Sequence, residues 1–198
     1  IDAVKRFVAE QDLNAQTRYI PKPVVPSLKG SFEEKIAIIG SGPAGLSCAY
    51  FLAEKGYRPV IFEKSDRPGG MLTYGIPSYK LEKDLIEAEI DVIRQMGVTI
   101  RCGVEVGVDV TIDQLRAEGY KGFYVAIGCQ GGRKPGIPGQ DAQGVYTAVD
   151  FLRQAAEGNA QGAQGDVIVV GGGNVAIDAA RVSTRLGQGA VFGGSDSG

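Results

Sequence analysis

A chain of 198 residues, 43% hydrophobic and 22% charged, has an ordinary globular balance and is long enough to bury roughly 70% of its unfolded surface. Its net charge of −2 and pI near 5.3 provide no footprint for nucleic acid or an anionic membrane, and no apolar run approaches the about 18 residues of a membrane span. Histidine is absent, which excludes histidine triads, histidine metal sites and a histidine general base, while Cys48, Cys102 and Cys129 are spaced for neither a disulfide framework nor a metal.

Residues 1–13 carry Ile1, Val4, Phe7 and Val8 at helical spacing and predict an amphipathic helix that starts as if something preceded it. No charged n-region followed by an apolar h-region opens the chain, so the cytoplasm is the expected location. Tyr19–Gly30, with its prolines, predicts an extended connector, and a boundary is expected near Ser31–Glu34.

Lys35–Ile39 is a short aliphatic run of the kind a strand buried on both faces requires, and Gly40-Ser41-Gly42-Pro43-Ala44-Gly45 follows without a gap. This is a G-x-G-x-x-G turn. Gly40 allows the tight bend, Gly42 has no Cβ to block a pyrophosphate, and Gly45 lets the next helix lie close on the strand. A helix from about Ala44 to Lys55 points free N–H groups and the positive dipole end at phosphates, and Gly56 closes it. Arg58–Phe62 is the second predicted strand. Glu63 stands at its end, near the usual interval of about 20 residues after the turn, where a carboxylate can accept from both ribose hydroxyls.

Lys64–Leu72 reads as a loop in which Gly69 and Gly70 allow close approach to a ligand, and Tyr74–Pro77 as a second turn. Leu81–Met96 predicts an amphipathic helix ended by Gly97, Val98–Val106 a strand or hairpin, and Thr111 with Gln114 a capping box for a short helix through Ala117. Phe123–Ile127 predicts a fully apolar strand, and Gly128–Gly139 is too rich in Gly and Pro to be regular, as expected of a link between two domains. Val149–Ala156 reads as helix and 158–165 as an exposed loop. Asp166–Val170 is a predicted strand, Gly171-Gly172-Gly173-Asn174-Val175-Ala176 matches the G-x-G-x-x-A variant, and a helix runs to about Leu186. Two such turns imply two nucleotides held face to face in an α/β fold of Rossmann type, three layers around a parallel sheet, followed by the start of a second unit.

Taken together, KIAIIGSGPAGLSCAYFLA, the stretch from Glu63 to Pro77 with its GGMLTYGIP, VAIGCQGGRKPGIPG and VVGGGNVAIDAAR resemble the two-dinucleotide flavoprotein reductases of the pyridine nucleotide-disulfide oxidoreductase-like superfamily, and within them the glutamate synthase (NADPH) small-subunit type. The resemblance implies that the first turn holds FAD and the second NADP or NAD, with hydride passing from nicotinamide to flavin. It implies Gly40, Gly42, Pro43, Ala44 and Gly45 at the FAD pyrophosphate, with Ser41 and Lys64 among the cofactor-binding residues and Glu63 at the adenosine ribose. It places Gly70, Met71 and Leu72 along the isoalloxazine and ribityl chain, Val106 at adenine, and Ala126, Ile127 and Gly128 at the strand end closing over FAD. Gly171, Gly173, Asn174, Val175 and Ala176 would hold the NAD(P)H pyrophosphate. No side chain is expected to act as a catalytic acid or base, since the flavin supplies the chemistry.

The implied organisation is a helix and linker following an iron–sulfur domain at 1–34, the first segment of an FAD-binding domain at 35–145, and the start of an NAD(P)-binding domain at 146–198. The cysteines of a 4Fe-4S cluster are missing from the sequence, so that centre would belong to a parent protein. The Gly189–Gly198 stretch is not expected to complete a strand, and Asp196 is not expected to read the nucleotide's 2′ position. The parent would feed electrons to a larger catalytic subunit or another acceptor protein, and the shorter chain alone is expected to self-associate. A nucleotide-binding subunit without turnover is the alternative.

Overall fold

In the computed structural model, residues 2–23, 32–159, 166–187 and 191–194 are described. The rest of the connector from residue 24, the loop from residue 160 and Asp196 lie outside them. The elements are α1 (Asp2–Leu13), β1 (Lys35–Ile39), α2 (Pro43–Glu54), β2 (Val60–Glu63), α3 (Met71–Tyr74), α4 (Lys83–Gln95), β3 (Thr99–Cys102), α5 (Ile112–Ala117), β4 (Tyr120–Val125), α6 (Ala148–Ala156), β5 (Val167–Val170), α7 (Asn174–Arg185) and β6 (Val191–Gly194).

Contacts divide the chain into two compact units, one built from Ile1–Gly69 and Asp84–Ile127, the other from Gly70–Lys83 and Gly128–Gly198. The division at Gly128 falls at the start of the Gly- and Pro-rich stretch rather than at residue 146, and the short Gly70–Lys83 segment groups with residues far along the chain.

In the first unit four strands form a wholly parallel sheet in the order β3-β2-β1-β4, with Ile38 opposite Ile61 and Tyr124. Strand alternation sends Ala37 and Phe62 to one face, where they form a core with Leu115 of α5 and Tyr120. Ile38 and Ile61, both fully buried, point the other way, and Ile38 lies under Gly45 of α2. Helix α2 buries Leu46, Ala49 and Ala53, a one-sided stripe of small and aliphatic residues that lets it sit close to the sheet. The capping box at Thr111 forms: Gln114 N donates to Thr111 Oγ1 at 3.2 Å and Thr111 N to Gln114 Oε1 at 2.7 Å.

Two strands start elsewhere than the apolar runs suggest. β2 begins two residues later than expected and includes Glu63, and β4 begins at Tyr120 and is not fully buried, since Tyr124 and Val125 are exposed. Tyr120 joins because its ring packs edge-on against Phe62, 5.7 Å between centroids. β3 stops at Cys102, and the chain turns through a bridge between Val106 and Val110.

In the second unit β5 and β6 pair in parallel, Val167 with Val191 through Val170 with Gly194, so the Gly189–Gly198 region does contribute a strand. Its backbone groups pair although glycines occupy half of it, because ladder bonds do not need side chains. Helices α6 and α7 pack through Phe151, Leu152 and Ala179. Ile168 and Val170 are 76% and 85% exposed on β5, so one face of this strand presents its apolar side chains openly.

Candidate functional site

The three glycines of the first turn answer three different steric demands. Gly40 has φ +103, donates its N–H to Phe62 O at 2.8 Å, and faces the end of β4, where a Cβ would stand 2.4 Å from Ala126 O. Gly45 lies so close to the turn that a Cβ would fall 2.0 Å from Gly40 O. Gly42 is the N-cap of α2 with φ −68 and ψ −178, and a Cβ there would meet no protein atom within 4 Å. Pro43 occupies the first helical turn, no side chain caps it, and both Pro43 and Ala44 are exposed. The open side of Gly42 therefore fronts uncapped first-turn amides at the positive end of a helix of 12 residues, an arrangement that fits a phosphate.

Ala126 and Ile127 stand where β4 reaches the turn: Ala126 N donates to Ile39 O at 2.8 Å, and Ile127 is exposed. Val106 turns its side chain toward the Phe62 and Leu115 core, and Lys64 is exposed.

Glu63 is 5% exposed, and its carboxylate is already well supplied with donors. Oε2 accepts from Ser41 N at 2.9 Å and from Ser41 Oγ at 2.5 Å; Oε1 accepts from Ser65 N at 2.8 Å, and the Ser65 hydroxyl also bonds to the carboxylate. The sequence places an acid free to take both ribose hydroxyls; the structure shows one whose roughly four acceptor positions are met by two serines. Burial pushes the Glu63 carboxyl up, but the Ser41 hydroxyl, the Ser65 and Ser41 amides and the Ser65 hydroxyl outweigh it and hold the group below the ordinary range. A depressed folded-state pKa stabilises the fold above the unfolded value of about 4.3, and this stabilisation is lost as pH falls through the lower folded value. Urea unfolding across that window is expected to show an acid-side loss of stability that Glu63→Gln reduces; equal pH profiles for the two proteins would contradict it.

In the second unit, Met71–Tyr74 form a short helix, α3, within the stretch predicted as loop and turn, while residues 64–70 and 75–77 stay irregular. Gly70, at φ +56 and ψ −128, starts it, and the ammonium of Lys83 ends it by donating to Leu72 O at 2.9 Å and Ile76 O at 2.5 Å. Gly70 and Met71 line a small cleft with Tyr74, Gln130, Val149, Asp150 and Arg153. The segment is tied to α7 by Asp178, 8% exposed, whose Oδ1 accepts from Tyr79 Oη at 3.1 Å and lies 2.5 Å from Lys80 Nζ, while Arg181 and Arg185 cover the Tyr79 ring. Sequence reading passed over Asp178; an acid on the inner face of an otherwise apolar-facing stretch of helix was the available signal.

The second glycine turn repeats the design with a wider fit. Gly171 has φ +120, Gly173 caps α7 with φ −74 and ψ 169 without a side-chain bond, and a Cβ on Gly173 would meet nothing within 4 Å. A Cβ on Gly171 would lie 3.5 Å from the Ala176 Cβ, an ordinary contact, so alanine is accommodated at the third motif position. Asn174 and Val175 are exposed beside it, and Gly128 opens this unit at φ +68.

A family model described as pyridine nucleotide-disulphide oxidoreductase matches residues 34–192. The chain belongs to this family. Among curated members, the NADP(+)-dependent formate dehydrogenase subunit beta of Moorella thermoacetica is 41% identical, over 94% of this chain and 29% of its own length. The NAD-dependent dihydropyrimidine dehydrogenase subunit PreT of Escherichia coli K12 is 42% identical over 79% and 38%, and the glutamate synthase [NADPH] small chain of Bacillus subtilis 41% over 77% and 33%. The chain thus spans well under half the length of these oxidoreductase subunits. Among solved structures, Mycobacterium tuberculosis FprA in complex with NADPH superposes with a TM-score of 0.65 at 27% identity, covering 75% of this chain and 36% of that one. The parallel sheet and this likeness make the fold Rossmann-like. Among the described residues no group of acidic or sulfur side chains could hold a metal, and no helix is long and apolar enough to cross a membrane.

Proposed function

We propose that the chain is the nucleotide-binding part of an electron-input flavoprotein of the glutamate synthase small-chain type, which oxidises NADPH or NADH and passes the electrons to a partner. The observation that carries this reading is the pair of uncapped helix N-termini, each behind a glycine whose outer side is open: Gly42 before α2 and Gly173 before α7. In this reading the turn from Gly40 to Gly45, with Ser41, Glu63, Lys64, Val106, Ala126, Ile127 and Gly128, serves FAD, Gly70–Leu72 serves the flavin end, and Gly171–Ala176 serves NADP or NAD. When bound, FAD supplies the redox chemistry, accepting hydride from the nicotinamide and releasing electrons onward. The protein's residues bind the two pyrophosphates, orient the rings and exclude water; none is needed as an acid or base. A larger acceptor subunit belongs to the same proposal and is supported by the relatives being named as subunits or small chains; the domain division at 34/35 and 145/146, a 4Fe-4S centre in the parent and a cytoplasmic setting are further parts of it, carried by the sequence and its resemblance.

Full-length protein carrying this sequence should purify with a flavin spectrum that NADPH or NADH bleaches without oxygen, and should reduce an artificial dye. A colourless protein with no dye reduction would end the reading, whereas tight nucleotide binding without bleaching would favour a non-catalytic binding subunit. For the 198-residue chain alone, weak or no FAD retention, no NAD(P)H oxidation and self-association are expected, because Ile168 and Val170 on β5 and Val175 and Ile177 on α7 are exposed. Light scattering should show mass rising with concentration and falling when Ile168 and Val170 are both replaced by Glu; a monodisperse monomer would refute the self-association.

A further inference from the structure

The donors around Glu63 are not equivalent. Ser41 is fully buried, and its hydroxyl is locked from both sides: it donates to Glu63 Oε2 at 2.5 Å and accepts from Gly69 N at 3.2 Å. Gly69 N also donates to Ser41 O at 3.0 Å, so one serine ties the glycine turn, the end of β2 and the loop beyond it. A buried hydroxyl with both roles filled has no other partner to turn to, and the aligned chain from amide to hydroxyl to carboxylate strengthens each bond in it. Ser65 is only partly buried, and its amide holds Oε1 at 2.8 Å whatever its side chain does. Its hydroxyl can rotate toward solvent, where water replaces its bond to the carboxylate.

We infer that Ser41 is a positioning residue that fixes the Glu63 carboxylate for an adenosine ribose, and that the Ser65 hydroxyl occupies the acceptor position which a ribose hydroxyl takes over. The inference rests on the assignment of FAD to the first glycine turn. It turns the crowding of Glu63 into an exchange: three donors stay, one yields, and the carboxylate keeps a full complement throughout. It also gives the two serines unequal effects on affinity, which a purely structural role for both would not.

The test uses the full-length protein and two probes, FAD and its analogue lacking the 2′-hydroxyl of the adenosine ribose, titrated by flavin fluorescence. The wild type should prefer FAD by about tenfold, one charge-assisted hydrogen bond. Ser41→Ala should remove most of that preference by weakening FAD while leaving the analogue within about twofold. Ser65→Ala, which keeps the amide, should leave FAD binding unchanged or a few times tighter. Glu63→Gln should level the two ligands, and adding Ser41→Ala to it should change the ratio no further. If Ser41→Ala weakens both ligands alike or neither, or if Ser65→Ala weakens FAD as much as Ser41→Ala does, the proposal is wrong. A wild-type protein that binds no FAD would instead remove the cofactor assignment on which it stands.

Discussion

Gly42→Val is expected to leave the protein folded and to weaken FAD binding by on the order of 100-fold or more. The backbone at Gly42 is one that any residue adopts, and a Cβ there touches no protein atom, so the fold has no reason to resist the change. The valine methyl groups would instead stand before the uncapped amides of α2 and occupy the space a pyrophosphate needs. Thermal melting on the full-length protein checks the first half and a flavin titration the second. Undiminished affinity would move the pyrophosphate away from this turn.

Gly40→Val, two residues earlier in the same motif, should do the reverse and destabilise the fold itself, by about 3–5 kcal/mol. Its φ of +103 is strained for a branched side chain, and the new Cβ would lie 2.4 Å from Ala126 O, a backbone atom at the end of a paired strand. Relieving the overlap means pulling β4 away from β1 and lengthening the 2.8 Å bond from Ala126 N to Ile39 O. Urea unfolding should show the loss; a wild-type midpoint would mean that the strand end gives way freely.

Much of the first unit was readable because its signals are local. An aliphatic run, a glycine turn and a helix stripe specify β1, the bend and α2 within about 20 residues, and the Thr111 and Gln114 pair specifies the start of α5 by itself. The missed features depend on residues far away. Helix α3 is closed by Lys83, beyond any periodicity of its own four residues, and the grouping of Gly70–Lys83 with the later part of the chain follows from Tyr79 and Lys80 meeting Asp178. Glu63 shows the limit most clearly. Its place at the end of β2 was legible, but its occupation by Ser41 and Ser65 depends on side-chain rotamers that no spacing encodes. The aliphatic run alone starts β4 at Phe123, because Tyr120 and Gly122 interrupt it, although Tyr120 is held by Phe62 from a strand of the same sheet.

The strand order β3-β2-β1-β4 has a consequence for a chain being made on the ribosome. Of the four strands of this sheet β1 is made first and takes a central place, with β2 on one side soon afterwards. Its other side must wait for Tyr120, the partner of Lys35, after three more helices and another strand have been synthesised. Until then a nascent chain carries Ile36–Ile39 with one edge unpaired, the condition in which strands are captured by other chains. Parallel pairing of such distant segments is also slow. Synthesis, rather than the finished protein, is therefore where this sheet is most exposed to misassembly, and where a chaperone that shields aliphatic edges would have the greatest effect on yield.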